Sequence, residues 1–295
     1  MALRTTTTER QRRLGAELRK LREQAGLTVS DGGASIGMGR VHLTHVERGH
    51  TAISTDRLRA LCGTYGCTSS TYIDALVSLS EAKGKGWWSS YKGRLSPASL
   101  DLAELEASAD ELRSYESLFI PGLFQTEAYA RSIFQASDTV TTPEAVETAV
   151  RFRIQRQSVV TRENPPAIHA VLHEAALHVR FGGTEVMRKQ LLHLVALADL
   201  PNVTIQVLPF TSAAVSAINT PFCLLTSHTG ALETVQMDHP AQAVYLHTPD
   251  ATSRYRRQFE LLRSTALPPV DASLTPAKHE SRDSLGLVQY VLYTL

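Results

Sequence analysis

Leu14–Ser54 reads LGAELRKLREQAGLTVSDGGASIGMGRVHLTHVERGHTAIS, and its punctuation decides the fold of the first part of the chain. Leu14, Leu18 and Leu21 recur at i, i+4 and i+7, so a helix with one apolar stripe is predicted over residues 9–25. Gly26 ends it. Thr28 is placed to cap a short second helix, 29–36, and Gly37 makes the turn into a third, 38–47, which closes at Arg48-Gly49. Ser54 is an N-cap for a fourth helix, 55–65, carrying Leu58 and Leu61. Beyond Gly66 a fifth, 70–82, carries Ile73, Leu76, Val77 and Leu79. Short helices separated by glycines define an all-helical domain over residues 1–82.

The whole chain has 295 residues and a net charge of +1, with 43% hydrophobic and 20% charged residues, an ordinary composition for a globular protein with a sizeable core. The charge is unevenly spread. Residues 1–80 hold eleven Lys and Arg against seven Asp and Glu, net +4, and the remainder is net −3. Residues 1–22 alone contain Arg4, Arg10, Arg12, Arg13, Arg19, Lys20 and Arg22. A basic head on a slightly acidic body is the pattern expected when the head meets phosphate; the alternative is an ordinary solvated helix face. The N-terminus has no apolar secretory segment and no apolar run is long enough to span a bilayer, so a cytoplasmic protein without membrane contact is expected. Cys62, Cys67 and Cys223 are too few and too scattered for a disulfide framework.

Two short helices joined by a tight turn can place the second in the major groove of double-stranded DNA. Residues 38–47 would be that helix. Arg40, Val41, His42, Thr44 and His45 are the candidates for base readout, with Arg40 able to donate two hydrogen bonds to guanine. Arg19, Arg22, Thr28, Ser30, Arg48, Ser54 and Arg57 are the candidates for phosphate contact. Glu47 is expected to tie the third helix to a backbone or arginine donor.

These residues resemble the helix-turn-helix of the Cro/phage-repressor (Xre) type. The matching pieces are Leu14-Gly15, Leu18-Arg19, Leu21-Arg22, the Ala25-Gly26-Leu27-Thr28 junction, Val46-Glu47-Arg48-Gly49, and Leu58 with Leu61. The resemblance implies a lambda-repressor-like domain and a homodimer reading half-sites about 34 Å apart. Val29 stands where such families usually carry glutamine. Gly32-Gly33 weakens the second helix by about 2 kcal/mol relative to alanine.

Lys83-Gly84-Lys85-Gly86 is a breaker, and residues 83–97, with the paired Trp87-Trp88, read as a linker. Behind it a mixed α+β regulatory domain is expected over 98–266. Helices are predicted at 98–118, 126–135, 143–160, 185–198 and 249–265. Strands are predicted at 167–172, 203–208 and 243–247, with a hairpin at 222–226 and 232–237 turning through His228-Thr229-Gly230. The overall class is α+β. The tail, 267–295, begins Pro/Ser/Asp-rich and ends in an apolar run, Leu285 to Tyr293, that reads as a terminal strand.

The long second part resembles the C-terminal domain of the WhiJ-like, antitoxin-like transcriptional regulators. The resemblance rests on Trp87-Trp88, Tyr115-Glu116, Pro121-Gly122-Leu123-Phe124-Gln125-Thr126, Arg151, Arg156-Gln157 and Leu200-Pro201-Asn202-Val203-Thr204-Ile205-Gln206-Val207-Leu208-Pro209-Phe210. It implies a regulator whose second domain senses a small-molecule effector or binds a small partner protein encoded nearby. A protein-interaction module that binds DNA only for autoregulation is the alternative. Trp87, Trp88, Tyr115, Glu116, Gln125, Thr126, Arg151 and Arg156 are the candidates for a partner or ligand groove. Gln125-Thr126 reads first as a turn followed by a helix cap, and second as part of that groove.

No catalytic centre or cofactor site is expected. His173-Glu174-Ala-Ala-Leu-His178 is one residue too long for the zincin spacing. His169 and His173, on one face of a strand, would stand roughly 13 Å apart, too far for one zinc. The chain contains no phosphate-binding loop, dinucleotide-binding glycine turn or nucleophile elbow.

Overall fold

Helix α1 (Glu9–Gln24) begins at Thr8, whose hydroxyl accepts from the Gln11 N–H while the Gln11 side chain accepts from the Thr8 N–H. It buries Leu14, Leu18 and Leu21, the predicted stripe. Short helices α2 (Val29–Ala34), α3 (Arg40–Glu47), α4 (Thr55–Thr64) and α5 (Ser70–Glu81) close over it. Their core joins these leucines to Leu43, Val46, Leu58, Leu61, Cys62 and Leu76. The computed structural model describes residues 7–82, 85–214, 220–227, 230, 232–239, 243–273 and 283–295. Half of the predicted Lys83–Gly86 breaker and most of the predicted His228–Gly230 turn lie outside these residues.

Gly32 and Gly33 have a purpose that propensity hides. Both are buried in α2. A Cβ on Gly33 would come within 2.4 Å of the Met38 carbonyl oxygen, and one on Gly32 within 2.8 Å of the Tyr65 hydroxyl. The weak helix former is the only residue that lets α2 pack this closely.

The chain divides into two compact units, and the division departs from the expected one. The first unit takes in residues 1–92, 96–108 and 226–233. It therefore includes α6 (Pro97–Ser108), predicted as the start of the regulatory domain. The reason is electrostatic: Asp101 and Glu104 of α6 are buried against arginines of α1. Leu232, only 6% exposed, is a member of the same helical core.

The second unit holds a six-stranded mixed sheet in the order β3-β2-β1-β4-β5-β6. Strands β1 (Ala109–Glu116), β2 (Ala167–His173) and β3 (Val203–Leu208) are parallel, with Glu116 opposite Leu172 and Leu172 opposite Val207. Strands β4 (Phe222–Ser227), β5 (Glu233–Met237) and β6 (Val244–Leu246) continue it, β5 and β6 antiparallel. Helices α7 (Glu127–Gln135), α8 (Pro143–Arg156) and α9 (Ser158–Thr161) connect β1 to β2. Helices α10 (Ala175–His178) and α11 (Thr184–Leu197) connect β2 to β3. Helix α12 (Pro249–Thr265) covers the sheet with Phe259 and Leu262, which pack on Tyr115, Val171, Leu208, Phe222, Leu224 and Val235.

Two predicted elements are corrected. The single helix at 98–118 is α6 followed without a loop by β1. Ala109, Leu112 and Tyr115 are the buried residues of β1, a spacing of three that imitates a helix. A central strand covered on both faces has no need of strict alternation. The apolar tail is helix α13 (Ser284–Thr294), not a strand. Asp283 caps it, accepting from the Gly286 N–H, and Leu285, Leu287, Val288 and Val291 are buried. Among the described residues no helix is long and apolar enough to cross a membrane.

Candidate nucleic-acid interface

Each residue of a helix turns the side-chain direction by about 100°. On α3 that puts Leu43 and Val46 inward, where both are buried, and Arg40, Val41 and Thr44 outward. Arg40 is exposed and Val41, an apolar side chain, is 70% exposed. Thr44 is half-buried, as are His45 and His42, which both lie on the flank beyond Val41. The Thr44 hydroxyl donates to the Arg40 carbonyl at 2.9 Å. The His45 Nδ1 is buried, and the ring meets the edge of His50 at 6.2 Å, so its inner side belongs to the packing. Gly39 precedes α3 and supplies no capping side chain.

The phosphate candidates separate into two groups. Arg48, Ser54 and Arg57 are exposed, and Ser54 makes no side-chain capping bond although it occupies the N-cap of α4. Ser30 is exposed too. Arg22 is corrected: it is buried, with Nε 2.6 Å from Glu47 Oε1, Nη2 3.0 Å from Glu47 Oε2, and Nη1 donating to the Leu27 carbonyl at 2.7 Å. This bidentate pair is the tie expected of Glu47, and it fixes the end of α3 to α1. Thr28 is engaged as well. Its hydroxyl donates to Asp31 Oδ2 at 2.6 Å and accepts from the Asp31 N–H at 3.2 Å, so a carboxylate already occupies the start of α2. Arg19 is exposed but paired with Glu23 at 2.7 Å.

The basic head itself needs a different reading. Arg10 pairs with Glu104, Arg12 with Glu9 and Asp101, Arg13 with Glu17, Arg19 with Glu23 and Arg22 with Glu47. Every arginine of α1 is neutralised inside the unit. What could have exposed this in the sequence is the acidic pair Asp101 and Glu104 at i, i+3 spacing, 89 and 94 residues away from their partners.

The groove candidates divide between the two units. Trp87 and Trp88 belong to the first unit, stacked edge-on at 5.9 Å. The other six belong to the second unit. Gln125 is buried there, donating to the Ile120 carbonyl at 2.7 Å and accepting from Arg153 at 2.6 Å. Thr126 caps α7, and its N–H donates to the buried Gln190 at 2.7 Å. These two are the turn and cap rather than a groove wall. Tyr115 is core, Arg151 is exposed on α8 and Arg156 is half-buried. Glu116, half-buried at the end of β1, has its carboxyl pushed up to about 8 by burial, with Asp238 adding to the shift and Arg153 opposing it.

The histidines are tied into the fold. His169 Nε2 meets Gln206 Oε1 at 2.7 Å. The Gln206 amide donates to the Arg263 and Leu267 carbonyls, so the ring nitrogen carries the proton; burial lowers the His169 pKa. His173 Nδ1 accepts from the Ala175 N–H, and Glu174 Oε2 accepts from the Phe210 N–H. Among the described residues no group of three or more His, Cys, Asp and Glu is placed to hold a metal ion.

An outward face on α3, joined through a short turn to α2 and clamped to α1, defines the class: a helix-turn-helix protein of the DNA-binding kind. A model of the helix-turn-helix domain matches residues 13–72. The family described as a domain of unknown function (DUF5753) matches residues 100–274, more than half of the chain, and the chain belongs to that family. No curated protein and no solved structure matches it.

Proposed function

We propose that this protein is a sequence-specific transcriptional regulator, not an enzyme, that reads double-stranded DNA with α3 while its second unit responds to a small partner protein or a small-molecule effector. The observation that carries the reading is the contrast on the first unit's surface. Arg40, Val41 and Thr44 face outward, whereas the cations of α1 are all paired. Arg40 supplies the bidentate donor for guanine, and Val41 with the Thr44 methyl supplies apolar contact for thymine. Arg48 and Arg57 supply the phosphate contacts. The protein acts as a cytoplasmic homodimer, since one three-residue reading face covers too few base pairs for a unique operator. Its kinship is with the WhiJ-like, antitoxin-like regulators.

A second reading, a protein-binding module for which DNA binding is autoregulation, is favoured by the exposed apolar side chains Leu192 on α11 and Tyr290 and Tyr293 on α13. Selection of bound sequences from a random DNA pool, followed by a gel shift, tests the first reading. Enrichment of one palindromic sequence, bound tightly by the wild type and weakly by Arg40→Ala, supports it. No enrichment, or equal binding by both proteins, ends it.

A further inference from the structure

The helix-turn-helix match ends at residue 72 and the match to the domain of unknown function begins at residue 100. Yet α6, at the start of that second match, folds as part of the first unit. Its side chains show what it does there. Glu104 Oε1 receives Arg10 Nε at 2.8 Å, and Asp101 Oδ2 receives Arg12 Nη2 at 3.0 Å. Asp101 and Glu104 are 5% and 8% exposed. Arg10 also donates to the Leu79 carbonyl of α5. The first turn of α1 is thus anchored from outside the helix-turn-helix.

The same helix holds α3. A Cβ on Gly15 would lie 2.4 Å from the Glu47 carbonyl oxygen, so the backbones of α1 and α3 touch there. Gly49, with φ of +76°, sits against the Gln11 carbonyl, where a Cβ would be 2.8 Å away. Arg22 grips the Glu47 carboxylate with two hydrogen bonds. The end of α3 is therefore fixed at Gln11, Gly15 and Arg22, points spread over about 16 Å of α1 at 1.5 Å per residue. The Gln11 contact lies between the two arginines and α3: one residue from Arg10 and one from Arg12.

We infer that Asp101 and Glu104 are positioning residues for DNA reading: the first helix of the domain of unknown function holds the N-terminal turn of α1, and that turn holds the C-terminal end of α3. The inference rests on the proposed reading of DNA by α3. Neither acid reaches the outward face of α3; both act through Arg10 and Arg12. Without the carboxylates, the buried Arg10 guanidinium keeps only the Leu79 carbonyl, the half-exposed Arg12 keeps Glu9 but loses its tie to α6, and the turn bearing Thr8 and Gln11 opens. Gly49 then loses the surface it packs on, and the Arg48–His50 turn is released. Because α6 runs into β1 without a loop, the strand at the centre of the second unit's sheet is covalently joined to this anchor.

The test uses the full chain and the DNA sequence that the wild type selects from a random pool. Asp101→Asn combined with Glu104→Gln is expected to weaken binding about tenfold, within the range that mutations along a coupling network produce. The slope of log affinity against log salt should stay unchanged, because no phosphate contact is removed. Asp74→Asn, which breaks the exposed Arg59–Asp74 pair of the same unit, should leave affinity within twofold of wild type. Native-state hydrogen exchange on the wild type needs no substitution: the amides of α6 and of Gly49 and His50 should exchange through one opening with equal protection. Exchange of α6 much faster than of Gly49 and His50 would overturn the inference, as would a folded double variant that binds like wild type. If the wild type selects no sequence, DNA reading has failed and the positioning role with it.

Discussion

Helix α1 carries five arginines and helix α3 carries one. By charge count α1 is the surface for a polyanion, and by geometry it is not. Each of its guanidinium groups has a carboxylate within 3.0 Å, and three of the arginines are buried. On α3 the single arginine is exposed beside a valine that is 70% exposed. Where a cation's counter-charge already sits decides whether it is available to phosphate, and net charge along the sequence does not carry that information. The cations of α1 serve the architecture; the side chains of α3, under the proposed reading, serve recognition.

The hardest blow to this contrast is Arg22→Ala. It removes one partner of a buried pair and strands Glu47, so the first unit should lose about 3–5 kcal/mol in denaturant unfolding. A loss below 1 kcal/mol would mean that Arg22 is not structural. Arg40→Ala should weaken binding to the selected DNA by about 1–3 kcal/mol and relax specificity at one base pair, with helical content unchanged. Arg57→Ala should reduce the salt slope by about 1 and weaken all sequences alike. Arg19→Ala, on the paired surface of α1, should change neither stability nor affinity by more than about 0.5 kcal/mol; a clear loss of affinity there would reopen α1 as a phosphate surface.

The comparison extends to a charge suppressed by burial. Glu116 has a folded pKa of about 8 against an ordinary value of 4.5, so the folded state holds its proton more tightly than the unfolded state does. Its stabilising contribution is full below the unfolded value and is lost as pH rises through the folded one. Thermal stability of the second unit should therefore fall between pH 4.5 and about pH 8, the window those two values bound. Glu116→Gln, which stays neutral, should flatten that slope. An unchanged slope in the variant would place the titration elsewhere.

The helices α1 to α5 were legible because their signals are local: a leucine stripe, a threonine cap, glycines at the ends. Thr28 and Gly66 each mark a boundary within two residues of where it falls, and Gly37 lies three residues from both the end of α2 and the start of α3. The parallel strands β2 and β3 were legible for the same reason. The α6–β1 junction was not, because Ala109, Leu112 and Tyr115 bury at every third position in a strand covered on both sides. The tail misled by composition: apolar β-formers such as Val288 and Val291 share one face of a helix once Asp283 caps it. Within the candidate interface, Arg40 and Val41 could be found by helical phase alone. The demotion of Arg22 could not, since it depends on Glu47 twenty-five residues on. The acids that neutralise Arg10 and Arg12 are farther still, and only the fold brings them together.

Leu232 gives the first unit a schedule. The unit's other described core residues all precede residue 109, but this one comes from a stretch, 226–233, made 118 residues after α6 ends at Ser108. At roughly 5–20 residues per second, translation needs on the order of 6–25 s to supply it. During that interval the growing chain carries the five helices α1 to α5 but lacks part of their core. The complete core of the first unit forms only when most of the sheet of the second unit has also been synthesised. A chain that stops before residue 226 leaves the helical core of the first unit without Leu232.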